Sequence, residues 1–178
     1  MKGVYCIRTI VEGVPDMADD FSTDNMLDMY LYENGQLLEQ LEEIVLENKD
    51  EDSFDENNIN EIFRIMHTIK GSSGVMKYDD IMKTSHKLED IFYFLRENRN
   101  VEEHHMELTE IIFRVLDFIN GEMDKIKDGN DPDGDSSELI ADMEKFLAGL
   151  KDNKQAPQED KQQEKEESKI TLGPNQFY

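Results

Sequence analysis

"NEIFRIMHTIKGSSGVMKYDDIMKTSHKLEDIF", residues 60–92, decides how the rest of the chain is read. Ile62, Met66 and Ile69 stand at helical spacing, and so do Ile81, Leu88, Ile91 and Phe92. That is the period of an α-helix with one face in a core. Between the two stripes lies only a short link around Lys77–Asp79, which predicts two antiparallel helices in contact. Gly71 and Gly74 are out of place inside such a helix, where glycine costs about 0.5–1 kcal/mol relative to alanine.

On a helical wheel with Ile62 at zero, Ile59, Met66, Ile69 and Met76 fall within about 60° and form the buried stripe. Lys70, Gly74, His67 and Gly71 follow at about 80°, 120°, 140° and 180°, as one strip along the flank. His67 is therefore expected at the border of solvent. On the next helix, with Ile81 at zero, Glu89 falls at about 80° and His86 at about 140°. In a hairpin turning at Tyr78, residues equidistant from the turn lie level. His67 and Glu89 are each eleven residues from Tyr78, and Lys70 and His86 are each eight. Four polar side chains from two helices are thus expected to meet in one patch.

Such a patch suits a nucleophilic imidazole. A carboxylate that accepts the proton of one ring nitrogen fixes the tautomer and leaves a lone pair on the other. It also raises the basicity of that nitrogen, as the orienting group of a triad does. Lys70 is placed to offset charge on an incoming phosphoryl group. Gly71 and Gly74 remove bulk that would keep another protein's active site from the ring.

Working outward, five segments carry helical periodicity: about 24–48, 55–76, 80–96, 105–127 and 137–150. Ser53 and Glu56 form a capping-box pattern before the second, and Asp79 is placed as the N-cap of the third. No stretch in 21–150 alternates as a half-buried strand does. The expected fold is all-α: an up-down four-helix bundle over residues 21–150, with an accessory fifth helix packed outside it. Residues 1–20 form an N-terminal extension without assignment. Residues 151–178 read as a charged, disordered linker, closed by "ITLGPNQFY" as the first strand of a following domain, so the chain reads as a fragment.

The formal net charge is −23, of which residues 1–150 carry −22. Such a surface repels nucleic acid. No apolar run reaches the 18–20 residues of a membrane span, and Arg8 breaks the only stretch resembling a signal peptide. With a single cysteine, Cys6, a cytoplasmic protein without disulfides is expected. Metal chemistry is not expected. A di-metal bundle needs Glu-x-x-His on two helices, and only Glu102 and His105 have that spacing. The acidic loop at 131–135 has Ser136 where a calcium loop needs glycine. The order K-G-S-S-G, with no strand before it, does not make a phosphate-binding loop. His104 and His105, near a helix start, are expected to be solvated.

The stretch 60–92 resembles the N-terminal histidine phosphotransfer domain of the CheA family of chemotaxis histidine kinases. The family pattern is H-T-[LI]-K-G followed by a helix with H-x-x-E, and the likeness runs from about residue 24 to residue 148. It implies that His67 is the phosphoacceptor, that Glu89 orients it, and that Lys70 and His86 support the site. The implied partners are an ATP-dependent histidine kinase domain, in the same polypeptide or in trans, and response-regulator receiver domains that take the phosphoryl group onto an aspartate. ATP and Mg²⁺ would be used by the kinase domain, and no cofactor or catalytic centre belongs to this chain by itself. Ser73, where alanine is frequent, departs mildly from the pattern. Two other readings stay open, a stand-alone relay protein and a helical interaction module without chemistry.

Overall fold

The computed structural model describes residues 17–98 and 104–155, with the backbone alone for 17–24 and 153–155. Five helices follow in order: α1 Met17–Asn48, α2 Glu56–Met76, α3 Asp79–Glu97, α4 His105–Lys127 and α5 Ser137–Gln155. No strand occurs among the described residues. Residues 1–16 of the expected 1–20 extension, and residues 156–178 of the expected linker and terminal strand, lie outside them.

The α2–α3 hairpin is closed by its turn chemistry. Asp55, in extended conformation, caps α2 by accepting a 2.7 Å hydrogen bond from the Asn58 amide. This replaces the expected Ser53–Glu56 box, because the helix begins at Glu56 itself. At the other end Lys77 turns left-handed, with φ 62°. Its N–H reaches the Gly74 carbonyl at 3.3 Å, and the Tyr78 N–H reaches Ser73 at 2.9 Å. That pair of bonds is a Schellman closure, made here without glycine. Asp79 is the first residue of α3 rather than its cap, so its carboxylate lies at the positive end of the helix dipole. Tyr78 takes the cap position, and its ring meets Tyr30 of α1 edge-on at 5.2 Å.

α1 packs on α2 and α4, α3 packs on α2 and α4, and the ring of four closes around one apolar core. Leu41, Ile62, Ile69, Leu88, Phe92 and Ile112 are completely buried in it. Burial of this kind is worth about 1.5–3 kcal/mol per large side chain, and truncating Phe92 would cost about 3–5 kcal/mol. Ile59 and Met76, expected in the stripe of α2, are only half-buried at its two ends. Ile65 and Ser73 are buried instead, because α1 covers α2 from the side.

α5 lies against α3 and α4, outside the ring as expected, with Met143 and Leu150 fully buried. Arg114 holds Asp142 at 3.0 Å, and Lys87 holds Glu144 at 3.0 Å. The helix runs on to Gln155, past the expected end at Leu150. Lys151 and Asp152 are exposed and add nothing to the core, but the extension contains good helix formers such as lysine and glutamine. α1 likewise starts at Met17 rather than residue 24, with Asp19 and Asp20 in its first turn.

The acidic loop before α5 is tied to α4. Buried Glu122 accepts from the Gly134 amide at 2.9 Å and from Lys125 at 2.8 Å, and Lys125 also reaches Asp133 at 2.8 Å. A Cβ at Gly134 would run into the Glu122 carboxylate, which would have to shift and loosen its bond to the Gly134 amide.

Candidate functional site

The hairpin sets His67 and Glu89 side by side. His67 Nδ1 lies 2.8 Å from Glu89 Oε1. The two differ in setting: the His67 side chain is 62% exposed and that of Glu89 only 10%. An ionised carboxylate only accepts, so this contact puts the proton on Nδ1 and leaves the lone pair on Nε2.

A buried carboxylate needs partners to stay charged. Lys70 supplies one, with Nζ 2.6 Å from Glu89 Oε2. Burial pushes the Glu89 carboxyl up, but the hydrogen bonds from Lys70 and His67, with their charge, bring it below its ordinary value. The carboxylate is thus clamped at both oxygens, and it holds the imidazole rather than the reverse.

His86 does not join the cluster. Its side chain is 58% exposed, and Nε2 faces Asp90 Oδ1 at 3.7 Å, one turn along its own helix. The expected meeting with Lys70 fails for two reasons: Asp90 is closer in sequence to His86, and the ammonium is held by Glu89. Lys70 is accordingly an anchor for the carboxylate, not the unengaged cation that the sequence suggested.

Gly71 and Gly74 are exposed on α2. A Cβ on Gly71 would meet nothing within 4 Å, and one on Gly74 would touch only Met82 Sδ at 3.4 Å, an ordinary contact. Neither glycine is required by packing within the domain. Between them the serines turn the other way. Buried Ser73 shares a 2.9 Å hydrogen bond with the Tyr30 hydroxyl, and Ser72 donates to Asn34 at 2.9 Å. Asn34 in turn donates to the Tyr30 carbonyl at 2.7 Å. Burial pushes the Tyr30 phenol up to about 12. This α1–α2 network was absent from the sequence reading, although Ser73 falls at about 20° on the wheel, among the buried positions.

On the other side of His67, Phe63 lies one turn back on α2, with its ring 6.0 Å from the imidazole and nearly parallel to it. His105 also differs from expectation. It is buried, its Nε2 is 2.8 Å from the Asn48 carbonyl, and its ring packs on Phe54 at 4.6 Å. It joins α4 to the end of α1. No group of three or more His, Cys, Asp or Glu among the described residues is gathered as a metal site.

The Hpt domain family model matches residues 25–128, which takes in most of α1, all of α2 to α4 and every residue of the cluster. The chain belongs to the Hpt family. Relatives of this Hpt chain include the chemotaxis protein CheA of Listeria monocytogenes, 30% identical over 125 residues. That match covers 70% of this chain and 20% of the relative. CheA of Bacillus subtilis is 31% identical over 122 residues, covering 66% of this chain and 17% of the relative. The chain thus spans about a fifth of the length of these curated relatives.

Among solved structures, the solution structure of the histidine phosphotransfer domain of CheA is 27% identical, with a TM-score of 0.56. It covers 72% of this chain, which spans 90% of it. The phosphorylated P1 domain of CheA3, solved with CheY6 from R. sphaeroides, has a TM-score of 0.63 at 22% identity. It covers 71% of this chain and 98% of its own, and shows the same fold. Among the described residues no helix is long and apolar enough to cross a membrane.

Proposed function

We propose that His67 is the phosphoacceptor of this Hpt domain and passes its phosphoryl group to an aspartate of a receiver domain. The observation that carries this is an exposed imidazole whose Nδ1 is held at 2.8 Å by a buried carboxylate that is itself held by Lys70. Nε2 then attacks the γ-phosphorus of ATP held by a kinase domain. An N–P bond forms, the bond to the β–γ bridging oxygen breaks, and ADP leaves with the electron pair. The ring becomes an imidazolium with its proton still on Nδ1, and Glu89 stabilises that charge as it develops. Attack by a receiver carboxylate reverses the change, and the ring returns neutral.

The chain's own part is acceptor and carrier. ATP and Mg²⁺ belong to the kinase domain, which CheA relatives suggest lies in the same polypeptide. The whole is read as cytoplasmic chemotaxis signalling. Incubation with the cognate kinase domain and γ-labelled ATP should place one acid-labile, base-stable label on His67. Label persisting in His67→Gln would overturn the assignment.

A further inference from the structure

Within the cluster around His67, the Lys70 ammonium is taken up by the Glu89 carboxylate, which also holds the imidazole. Nothing in it offsets the charge of a polyphosphate, although the chain as a whole carries −23. Cations stand a little further along the same seam. Arg64 lies one turn before His67 on α2, and Arg96 lies two turns after Glu89 on α3, two of the five arginines in the sequence.

Arg96 is held in place by rings rather than by a strong ion pair. Its guanidinium lies 4.3 Å from the Phe63 ring centre and 5.2 Å from that of Tyr93. Among the described residues its only carboxylate contact is Glu97, at 3.4 Å. A guanidinium stacked on aromatic faces keeps most of its N–H donors free for an oxyanion. Arg64 is 77% exposed and only 3.9 Å from Glu61. With Asn57, Asn60, Glu61 and Phe63 they line one depression beside the phosphoacceptor. Glu61 is its acid, and Gln40 hydrogen-bonds it at 2.9 Å.

We infer that Arg96, stacked on Phe63 and Tyr93, and Arg64 form a cationic ledge that receives the triphosphate-bearing face of the phosphoryl donor. This rests on His67 being the acceptor. A nucleoside triphosphate approaching so acidic a domain is repelled over most of its surface, and the ledge is a local exception that adjoins His67 through the Phe63 ring. It is a docking device, separate from the Glu89–Lys70 clamp that tunes the ring.

The test uses the 178-residue chain with the cognate kinase domain and Mg-ATP, comparing R64E/R96E with R64K/R96K. The charge reversal should lower kcat/KM for His67 phosphorylation about tenfold, mainly through KM, and flatten its dependence on ionic strength. The lysine pair should stay within about threefold of the parent, since it keeps the charge. Reaction of His67 with phosphoramidate, which brings no polyphosphate, should be unchanged in both, and so should transfer from the phosphorylated chain to a receiver. An unchanged kcat/KM in R64E/R96E overturns the inference. So does an equal loss in R64K/R96K, which would point to packing, or an equal loss in transfer to the receiver, which would assign the ledge to that partner. Absence of label in the parent chain would instead refute the acceptor role of His67.

Discussion

Glu89 stands between two nitrogen donors, with Lys70 Nζ 2.6 Å from one oxygen and His67 Nδ1 2.8 Å from the other. The imidazole is the most exposed of the three side chains, and Glu89 the least. The clamp therefore tunes His67 from within the hairpin, and its parts can be removed one at a time.

Glu89→Gln keeps the shape and removes the charge. The initial rate of phosphorylation should fall about 10²-fold, within the range for loss of a positioned acid–base partner, while helix content stays unchanged. The ¹⁵N shifts of the His67 ring should show Nδ1–H giving way to the mixed tautomers of free histidine. A ring that keeps its Nδ1 proton in this variant would remove Glu89 from its orienting role.

Lys70→Met leaves one oxygen of a buried carboxylate without its partner. Stability should drop by about 1–3 kcal/mol in urea unfolding, and the Glu89 carboxyl should titrate higher than in the parent. Lys70→Arg should recover most of both. If Lys70→Met is as stable as the parent, the ion pair contributes nothing.

Because Glu89 sits below its ordinary value of 4.5, the folded state binds its proton less readily than the unfolded chain. Its contribution to stability is complete above that value and is lost as the pH falls through the folded one. The stability difference between the parent and Glu89→Gln should therefore be constant near neutrality and shrink in acid. Urea midpoints measured from pH 7 to pH 3 would show this, and a gap that widens in acid would contradict it.

Tyr30 and Ser73 share a buried hydrogen bond across α1 and α2. Tyr30→Phe or Ser73→Ala alone should cost about 1–2 kcal/mol, and the pair together less than the sum, because no orphan hydroxyl remains. The Tyr30 phenol, raised to about 12, contributes stability that is intact below pH 10 and lost as the pH rises through its folded value. Alkaline absorbance titration should find one tyrosine that ionises late in the parent and not in Tyr30→Phe.

The His67–Glu89 pair was legible in the sequence because both of its determinants are local. The 3.6-residue period sets the faces, and a two-residue turn centred on Tyr78 sets the register. His86 obeyed the same register but was drawn to Asp90, since a helix offers its own i+4 neighbour before a partner across the seam. The wheel marked the side Ser73 faces but could not name Tyr30, which is 43 residues away. The Arg96 stack escaped notice because it needs side-chain reach across two helices. Helix ends shifted by a residue at Asp55 and Asp79, where neighbouring acids compete for the cap, and by several at Met17 and Gln155, where no apolar pattern marks the boundary.

Gly71 projects into empty space and Gly74 barely touches Met82, so alanine at either position would suit this helix better when the domain is alone, by about 0.5–1 kcal/mol. The bare strip of α2 is thus not explained by packing within the domain. On the proposed acceptor role, the momentary embrace of a second protein around the imidazole is what favours it, and a screen for thermal tolerance should then erase both glycines while one for signalling should keep them.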